Sequence, residues 1–333
     1  MKAAVIGGGS WGTAFSLYLA RQNIKTNLWV REKEIYEELV KTRINNVFLP
    51  GHRLPPDVFI FNQLEEAIDS AEIIFIAVPS KFCREIYKIL APNLSPKHII
   101  VSLTKGIEDH SLKRMSEVME ETFLPYFEPR IAVLSGPSFA KEVAQGHPTA
   151  VVIASRNRSL AKKVQHLISS LTFRIYTSED IIGVEVAGAV KNVIAIASGI
   201  SDALRFGSNS VAALVTRGLA EMVRLGVSLG ARKETFSGLA GIGDLVLTCT
   251  GRLSRNRYVG YELGRGKKLA DIISRMTMVA EGVVSTLSVR QLALREGVEL
   301  PICEQVYEVL YNNKDPRKAL HDLMSRRLKN EYE

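Results

Sequence analysis

A strand that ends in glycines and turns at once into a helix leaves a chain few folds. Here residues 3–6 are a short apolar strand that runs into Gly7-Gly8-Gly9-Ser10-Trp11-Gly12, and residues 11–22 read as a helix. Gly7, Gly9 and Gly12 stand at the three positions of a GxGxxG turn. The first glycine permits the tight turn, the second lets the backbone approach a pyrophosphate, and the third lets helix and strand pack closely. The helix N-terminus offers unpaired N–H groups and the positive end of its dipole. The motif alone is weak. Set between a strand and a helix, it points to a dinucleotide site, the alternative being a purely structural turn.

The strand and helix signals keep alternating. Strands are expected at residues 26–30, 73–78, 99–103, 131–134, 150–154 and 173–176, with a charged helix at 32–41. Such alternation implies a parallel, doubly wound sheet. Beyond about residue 178 the strand signals stop. Helices are expected at 181–204, 211–229, 258–263, 269–276, 284–296, 302–312 and 316–325, the last with Asp315 as N-cap and Pro316 at its first position. A chain of 333 residues also exceeds the size of one growing core. The expected fold class is α/β: an N-terminal Rossmann-like domain over residues 1–178, then an all-α domain over 179–333, with the boundary in 177–180.

Composition removes several function classes. Hydrophobic residues make up 46% and charged residues 23%, which excludes disorder and collagen-like or low-complexity architectures. The three cysteines, Cys83, Cys249 and Cys303, are far apart, so neither a metal knuckle nor a disulfide framework is expected, and a reducing, cytoplasmic home fits. The six His residues include no HExxH, and no metal is expected. The N-terminal apolar run is too short for a signal peptide. The longest apolar stretch, 181–200, contains Glu185, Lys191 and Asn192, so it reads as a buried helix rather than an integral membrane segment. The net charge of +8 is scattered, apart from clusters near 252–257 and the C-terminus. No helix-turn-helix or basic helix accompanies it, so it points to small anionic ligands and not to nucleic acid.

Several residues carry chemistry. Arg31 ends the second strand, where an NAD site usually carries an acid; an Arg there can meet a 2′-phosphate, which tilts the choice between NADH and NADPH toward NADPH, although Glu32 follows at once. Arg31 as a solvated loop charge is the alternative. Lys105, in Thr104-Lys105-Gly106, follows a strand and points toward the crevice at the carboxyl ends of the sheet, unless it is a solvated loop Lys. Ser135-Gly136-Pro137-Ser138 follows the next strand as a second cluster of donors, or as a plain turn with Ser138 as a helix cap. Lys191 lies in an apolar helix with Ala187 and Gly188 on one side and Ile194 and Ala195 on the other. Either it is desolvated, with a lowered pKa suited to acid–base work, or it snorkels to the surface. Asp244, at the end of Gly241-Ile242-Gly243-Asp244, can orient a hydroxyl or a Lys. Arg255 and Asn256, after Ser254, suit a phosphate. Cys249 has no adjacent base and reads as a packed residue.

Taken in order, these motifs resemble the bacterial-type NAD(P)-dependent glycerol-3-phosphate dehydrogenase family over nearly the whole chain. The likeness also includes Asn46 with Leu49-Pro50-Gly51, Val78-Pro79-Ser80, Phe139-Ala140-Lys141-Glu142, Val190-Lys191-Asn192-Val193, Thr248-Cys249-Thr250 and Glu281-Gly282. The middle glycine of Gly7-Gly8-Gly9 and the basic Gly251-Arg252-Leu253 depart from the pattern without touching an expected catalytic position. The resemblance implies reversible reduction of dihydroxyacetone phosphate to sn-glycerol 3-phosphate, which supplies glycerophospholipid synthesis. It implies Lys191 as the proton donor or acceptor, supported by Lys105 and Asp244. Substrate is expected at Lys105, Gly136, Ser138, Lys191, Asp244, Thr248, Ser254, Arg255 and Asn256. Nucleotide is expected at Gly7, Gly9, Ser10, Trp11, Gly12, Arg31, Lys105, Ala140, Arg255, Val279 and Glu281. A homodimer is also implied. Two rivals stand beside this reading. One is another two-domain β-hydroxyacid dehydrogenase acting on a carboxylate, which Arg255-Asn256 and the Gly241–Asp244 run disfavour. The other is a non-catalytic NAD(P) sensor or regulator, which would leave Lys105, Lys191 and Asp244 without purpose.

Overall fold

The structure is a computed structural model that describes residues 1–328, 330 and 331. Eight strands form one sheet: β1 (Lys2–Ile6), β2 (Lys25–Trp29), β3 (Val58–Phe61), β4 (Ile73–Ile76), β5 (Ile99–Ser102), β6 (Arg130–Ser135), β7 (Thr149–Ala154) and β8 (Phe173–Ser178). Their order is β3-β2-β1-β4-β5-β6-β7-β8. Strands β4 and β5 are buried at every position, as their continuous apolar sequences require of strands covered on both faces. Phe15, from the helix Ser10–Arg21, packs edge-on against Phe75 of β4, with ring centroids 4.9 Å apart. The strand order reverses between β1 and β4, so the glycine turn after β1 opens at the switch point of the sheet, where α/β proteins bind ligands.

Two features depart from the sequence expectation. Strand β3 was not expected. It is a four-residue edge strand after Pro55-Pro56, with Phe59 half-exposed, and it is too short to show a clear alternation. The sheet is also not wholly parallel, because β7 runs antiparallel to β6, with Leu134 opposite Ile153. The link 136–148 contains only the short helix Ala140–Gln145 and does not cross the sheet, so the chain returns from the end where it left. The helix Arg158–Ile168 then carries a proper crossover, and β8 lies parallel to β7.

Beyond Ser178 the described residues form helices and turns. Asp180 caps the long helix Ile181–Ala203 by accepting from the Gly183 N–H at 2.9 Å, and its other oxygen accepts from the Arg232 N–H and the Thr235 hydroxyl. Among the described residues this is the one helix long and apolar enough to cross a membrane, but 89% of its most apolar window is buried inside the protein. Its hydrophobicity is spent on neighbouring helices. A Cβ at Gly199 would lie 2.0 Å from the Arg257 carbonyl oxygen, so this helix touches Arg255–Gly264 backbone to backbone. That contact brings the Arg255 and Asn256 end of one helix beside Lys191 on the other. At the last helix, Pro316–Met324, Asp315 accepts from the Arg317 and Lys318 N–H groups, as its position predicts.

Candidate active site

The glycine turn, the carboxyl ends of the strands and the helical half enclose a cavity of about 670 Å³. It is lined by Gly7, Gly9, Ser10, Trp11, Arg31, Lys105, Ser138, Ala140, Lys191, Asp244, Thr248, Ser254, Arg255, Asn256, Val279 and Glu281. Gly12 lies beneath the turn rather than on the wall. Gly136 contributes its carbonyl oxygen, which accepts from Lys105 Nζ at 2.9 Å.

At the centre are three charges. Lys105 Nζ donates to Asp244 Oδ2 and Lys191 Nζ donates to Asp244 Oδ1, both at 2.7 Å. Lys191 Nζ also donates to Thr248 Oγ1 at 2.9 Å, and that hydroxyl donates back to the Asp244 carbonyl oxygen. Lys191 is 5% exposed, so it does not snorkel. Asp244 is placed by a five-residue π-turn, Leu239–Gly243, that tightens the glycine run just before the helix Asp244–Thr250. That turn had no legible signal beyond its glycines.

Burial disfavours the charged ammonium and pulls Lys191 down to about 8; Lys105 adds to the fall, while Asp244 holds it partly up. For Asp244, burial pushes upward but the two lysines outweigh it, so the carboxyl stays below its ordinary range. Replacing Asp244 with Asn removes the principal influence that raises Lys191. Lys191 would then lose its proton at a lower pH. The pH limb of any reaction that uses the ammonium as a donor is expected to move about one unit or more toward acid, which a pH–rate profile reads.

Asn192 was not among the expected site residues. Its Oδ1 accepts from Asn256 Nδ2 at 2.8 Å, and its own Nδ2 donates to the Gly188 carbonyl at 3.1 Å. Asn256 Oδ1 in turn accepts from the Gly282 N–H at 2.9 Å. These bonds fix the Asn256 amide and leave one of its N–H groups for a ligand. An amide set in an otherwise apolar helix, next to Lys191, was the available signal. Ser254 Oγ caps Arg255–Gly264 by accepting from the Arg257 N–H, and Arg255 makes no ion pair among the described residues. Ser138 is not a cap: its hydroxyl donates to the Gly136 carbonyl, and Phe139 occupies the cap position without a side-chain bond.

The other end of the cavity fits a dinucleotide. A Cβ at Gly9 would meet nothing within 4 Å, which leaves open space above the turn, and the helix Ser10–Arg21 begins with no side-chain cap on its N–H groups. Asn45, fully buried and also missed, braces the turn by donating to the Gly8 carbonyl at 2.8 Å and to Thr13 Oγ1 at 2.9 Å. The neighbouring Asn46 instead bonds the half-buried Glu38. Arg31 packs over the Phe82 ring and pairs with Glu32. Glu281 spans the cleft, accepting from the Ser80 N–H and hydroxyl, and burial pushes its carboxyl up. Cys249 is buried and its thiol is pushed up to about 12, consistent with packing. Among the described residues no three His, Cys, Asp or Glu side chains gather to hold a metal.

Models of the N-terminus and C-terminus of NAD-dependent glycerol-3-phosphate dehydrogenase match residues 2–161 and 180–321. The chain belongs to this family. It is 51% identical to the glycerol-3-phosphate dehydrogenase [NAD(P)+] of Geobacter sulfurreducens, over 99% of this chain and 98% of that one. It is 50% identical to the protein of that name from Koribacter versatilis, over 98% and 97%. The crystal structure of glycerol-3-phosphate dehydrogenase from Coxiella burnetii superposes with a TM-score of 0.94 at 39% identity, covering 98% of this chain and 99% of that one. As an NAD(P)-dependent family member, the chain has the two-part fold that its sequence predicted.

Proposed function

We propose that this protein reversibly reduces dihydroxyacetone phosphate to sn-glycerol 3-phosphate with NADH or NADPH, supplying glycerophospholipid synthesis. The observation that carries the reading is the buried Lys105–Asp244–Lys191 triad, set in one cavity with the glycine-turn cradle. When bound, the nicotinamide supplies a hydride to the ketone carbon. Lys191 gives its proton to the carbonyl oxygen as that oxygen gains charge, and Lys105 stabilises the same charge. Asp244 keeps both ammonium groups in place. Arg255, the free N–H of Asn256 and the start of the helix Arg255–Gly264 hold the phosphate, so binding energy at the remote end positions the ketone. In the reverse direction neutral Lys191 takes the hydroxyl proton. The change from strands to helices after Ser178 supports a division into a nucleotide-binding domain, 1–178, and a helical substrate and catalytic domain, 179–333, with Lys105 and Ser138 of the first also reaching the substrate. A homodimer in the cytoplasm completes the reading, on the sequence resemblance alone.

Nicotinamide absorbance tests it. Dihydroxyacetone phosphate should drive rapid oxidation of a reduced nucleotide, and a panel of keto-carboxylates should not. Oxidation by a keto-carboxylate and not by dihydroxyacetone phosphate would assign the site to a different substrate class.

A further inference from the structure

We propose that Glu185 is a positioning residue for Lys105: through Arg114 and Ser116 it fastens the far end of the Lys105 loop to the helix that carries Lys191. The inference rests on the reading of the Lys105–Asp244–Lys191 cluster as a ketone-reducing site.

Buried carboxylates are costly unless they are paired, and the reaction leaves Glu185 unused. It is 5% exposed and stands six residues before Lys191 in the helix Ile181–Ala203. Its Oε1 accepts from the Ser116 N–H at 2.7 Å. Its Oε2 accepts from Arg114 Nη1 at 2.7 Å and from the Ser116 hydroxyl at 2.5 Å. Burial pushes the carboxyl up, while Arg114 and Ser116 draw it back. All three donors come from the N-terminal half, where the stretch that leaves β5 through Lys105 enters the helix Met115–Phe123.

That stretch is held in three directions. Arg84, of the same half, grips Glu108 with two bonds at 2.8 and 2.7 Å. Ser288 of the helical half donates to Asp109 Oδ1 at 2.7 Å. Ile107 is buried in the core of the helical half beside Val186 and Ala187. Glu185 supplies the charged tie to the helix of Lys191 itself. The same helix meets the stretch again at its start. A Cβ on Gly188 would lie 3.5 Å from Lys105 Cγ, and Asn192 Nδ2 lies 3.4 Å from the Lys105 carbonyl oxygen. Glu185, Gly188 and Asn192 follow at i, i+3 and i+7, one face of a helix about 10 Å long. One rigid face therefore holds both ends of the Lys105 loop and carries Lys191 beside it. Loosening the far end lets Lys105 move relative to Lys191 and Asp244, and a misplacement of about 1 Å is enough to slow a reaction about a hundredfold.

Glu185→Gln keeps the shape of the side chain and removes its charge. Arg114 retains Glu117 at 2.9 Å, so it is not stranded, and circular dichroism checks that the variant folds. With dihydroxyacetone phosphate and a reduced nucleotide, kcat should fall about ten- to a hundredfold. Nucleotide binding should stay within about twofold of the parent. The chain's two tryptophans, Trp11 and Trp29, line the cavity, so quenching of their fluorescence reads that binding. A fall in kcat alone does not separate positioning from general loosening, so the same substitution is made in Lys105→Ala. With the positioned group gone, Glu185→Gln should cost less than about threefold more. Should Glu185→Gln not fold, Ser116→Ala removes one bond to the carboxylate and makes the same comparison. It should lower kcat about threefold or more in the parent and leave Lys105→Ala unchanged. An equal loss in both backgrounds, or no loss in the parent, would overturn the proposal while the ketone-reducing reading stands. A parent that oxidises neither nucleotide with dihydroxyacetone phosphate would remove both.

Discussion

Replacing Lys191 with Ala should lower turnover by about two to four orders of magnitude while nucleotide binding is kept. The ammonium is the buried cation placed against both Asp244 and Thr248, and its lowered pKa of about 8 suits transfer in both directions near neutral pH. The variant is expected to fold. Asp244 keeps the second half of its ion pair through Lys105 Nζ at 2.7 Å, and it retains the Thr248 hydroxyl nearby. Removing one partner of a buried pair costs about 3–5 kcal/mol when the remaining charge is stranded. Here it is not stranded, so the loss should be smaller. Lys191→Met keeps most of the side-chain volume and separates the lost proton from the lost packing. Turnover in either variant within about tenfold of the parent would remove Lys191 from the reaction.

The second large effect divides two glycines that stand three residues apart. A Cβ at Gly12 would sit 1.9 Å from the Gly7 carbonyl oxygen, a backbone atom that cannot step aside without moving the turn. Gly12→Ala should therefore destabilise the protein by about 1–3 kcal/mol or more, read as a fall in Tm. Gly9 has φ −71°, which alanine adopts freely, and its Cβ would touch nothing. Gly9→Ala should change stability by less than about 0.5 kcal/mol. It should nevertheless weaken nucleotide binding by about tenfold or more, because the methyl group fills the space a pyrophosphate would use. A Gly9→Ala variant with unchanged nucleotide affinity would mean that the turn is structural only.

What the sequence carried, and what it hid, follows from the range of the interactions. Strands β4 and β5 were legible because burial on both faces demands an unbroken apolar run. The glycine turn was legible because Gly7, at φ 122°, and Gly12, packed against the Gly7 carbonyl, leave no room for a side chain. The edge strand β3 has no such demand on it, being four residues long with only Val58 buried. The direction of β7 depends on whether a link crosses the sheet, and a six-residue helix in a thirteen-residue link decides that only in three dimensions. At the site, the residue types were visible but their pairing was not. Lys191 could be written as buried or snorkelling until Asp244, 53 positions away, was seen to meet it. Asn45 and Asn192 were missed for a related reason: each braces a ligand-facing group through bonds distant in sequence, to Gly8 and to Asn256.

The most direct test of Lys191 as the exchanging proton site is a pair of pH profiles, one for ketone reduction and one for alcohol oxidation. Reduction needs the ammonium, which is present below its pKa, and oxidation needs the free amine, which is present above it. Reduction should fall and oxidation should rise as pH passes through about 8, and both limbs should vanish from whatever activity remains in Lys191→Ala. Limbs that run in the same direction, or that survive that substitution unchanged, would contradict the account.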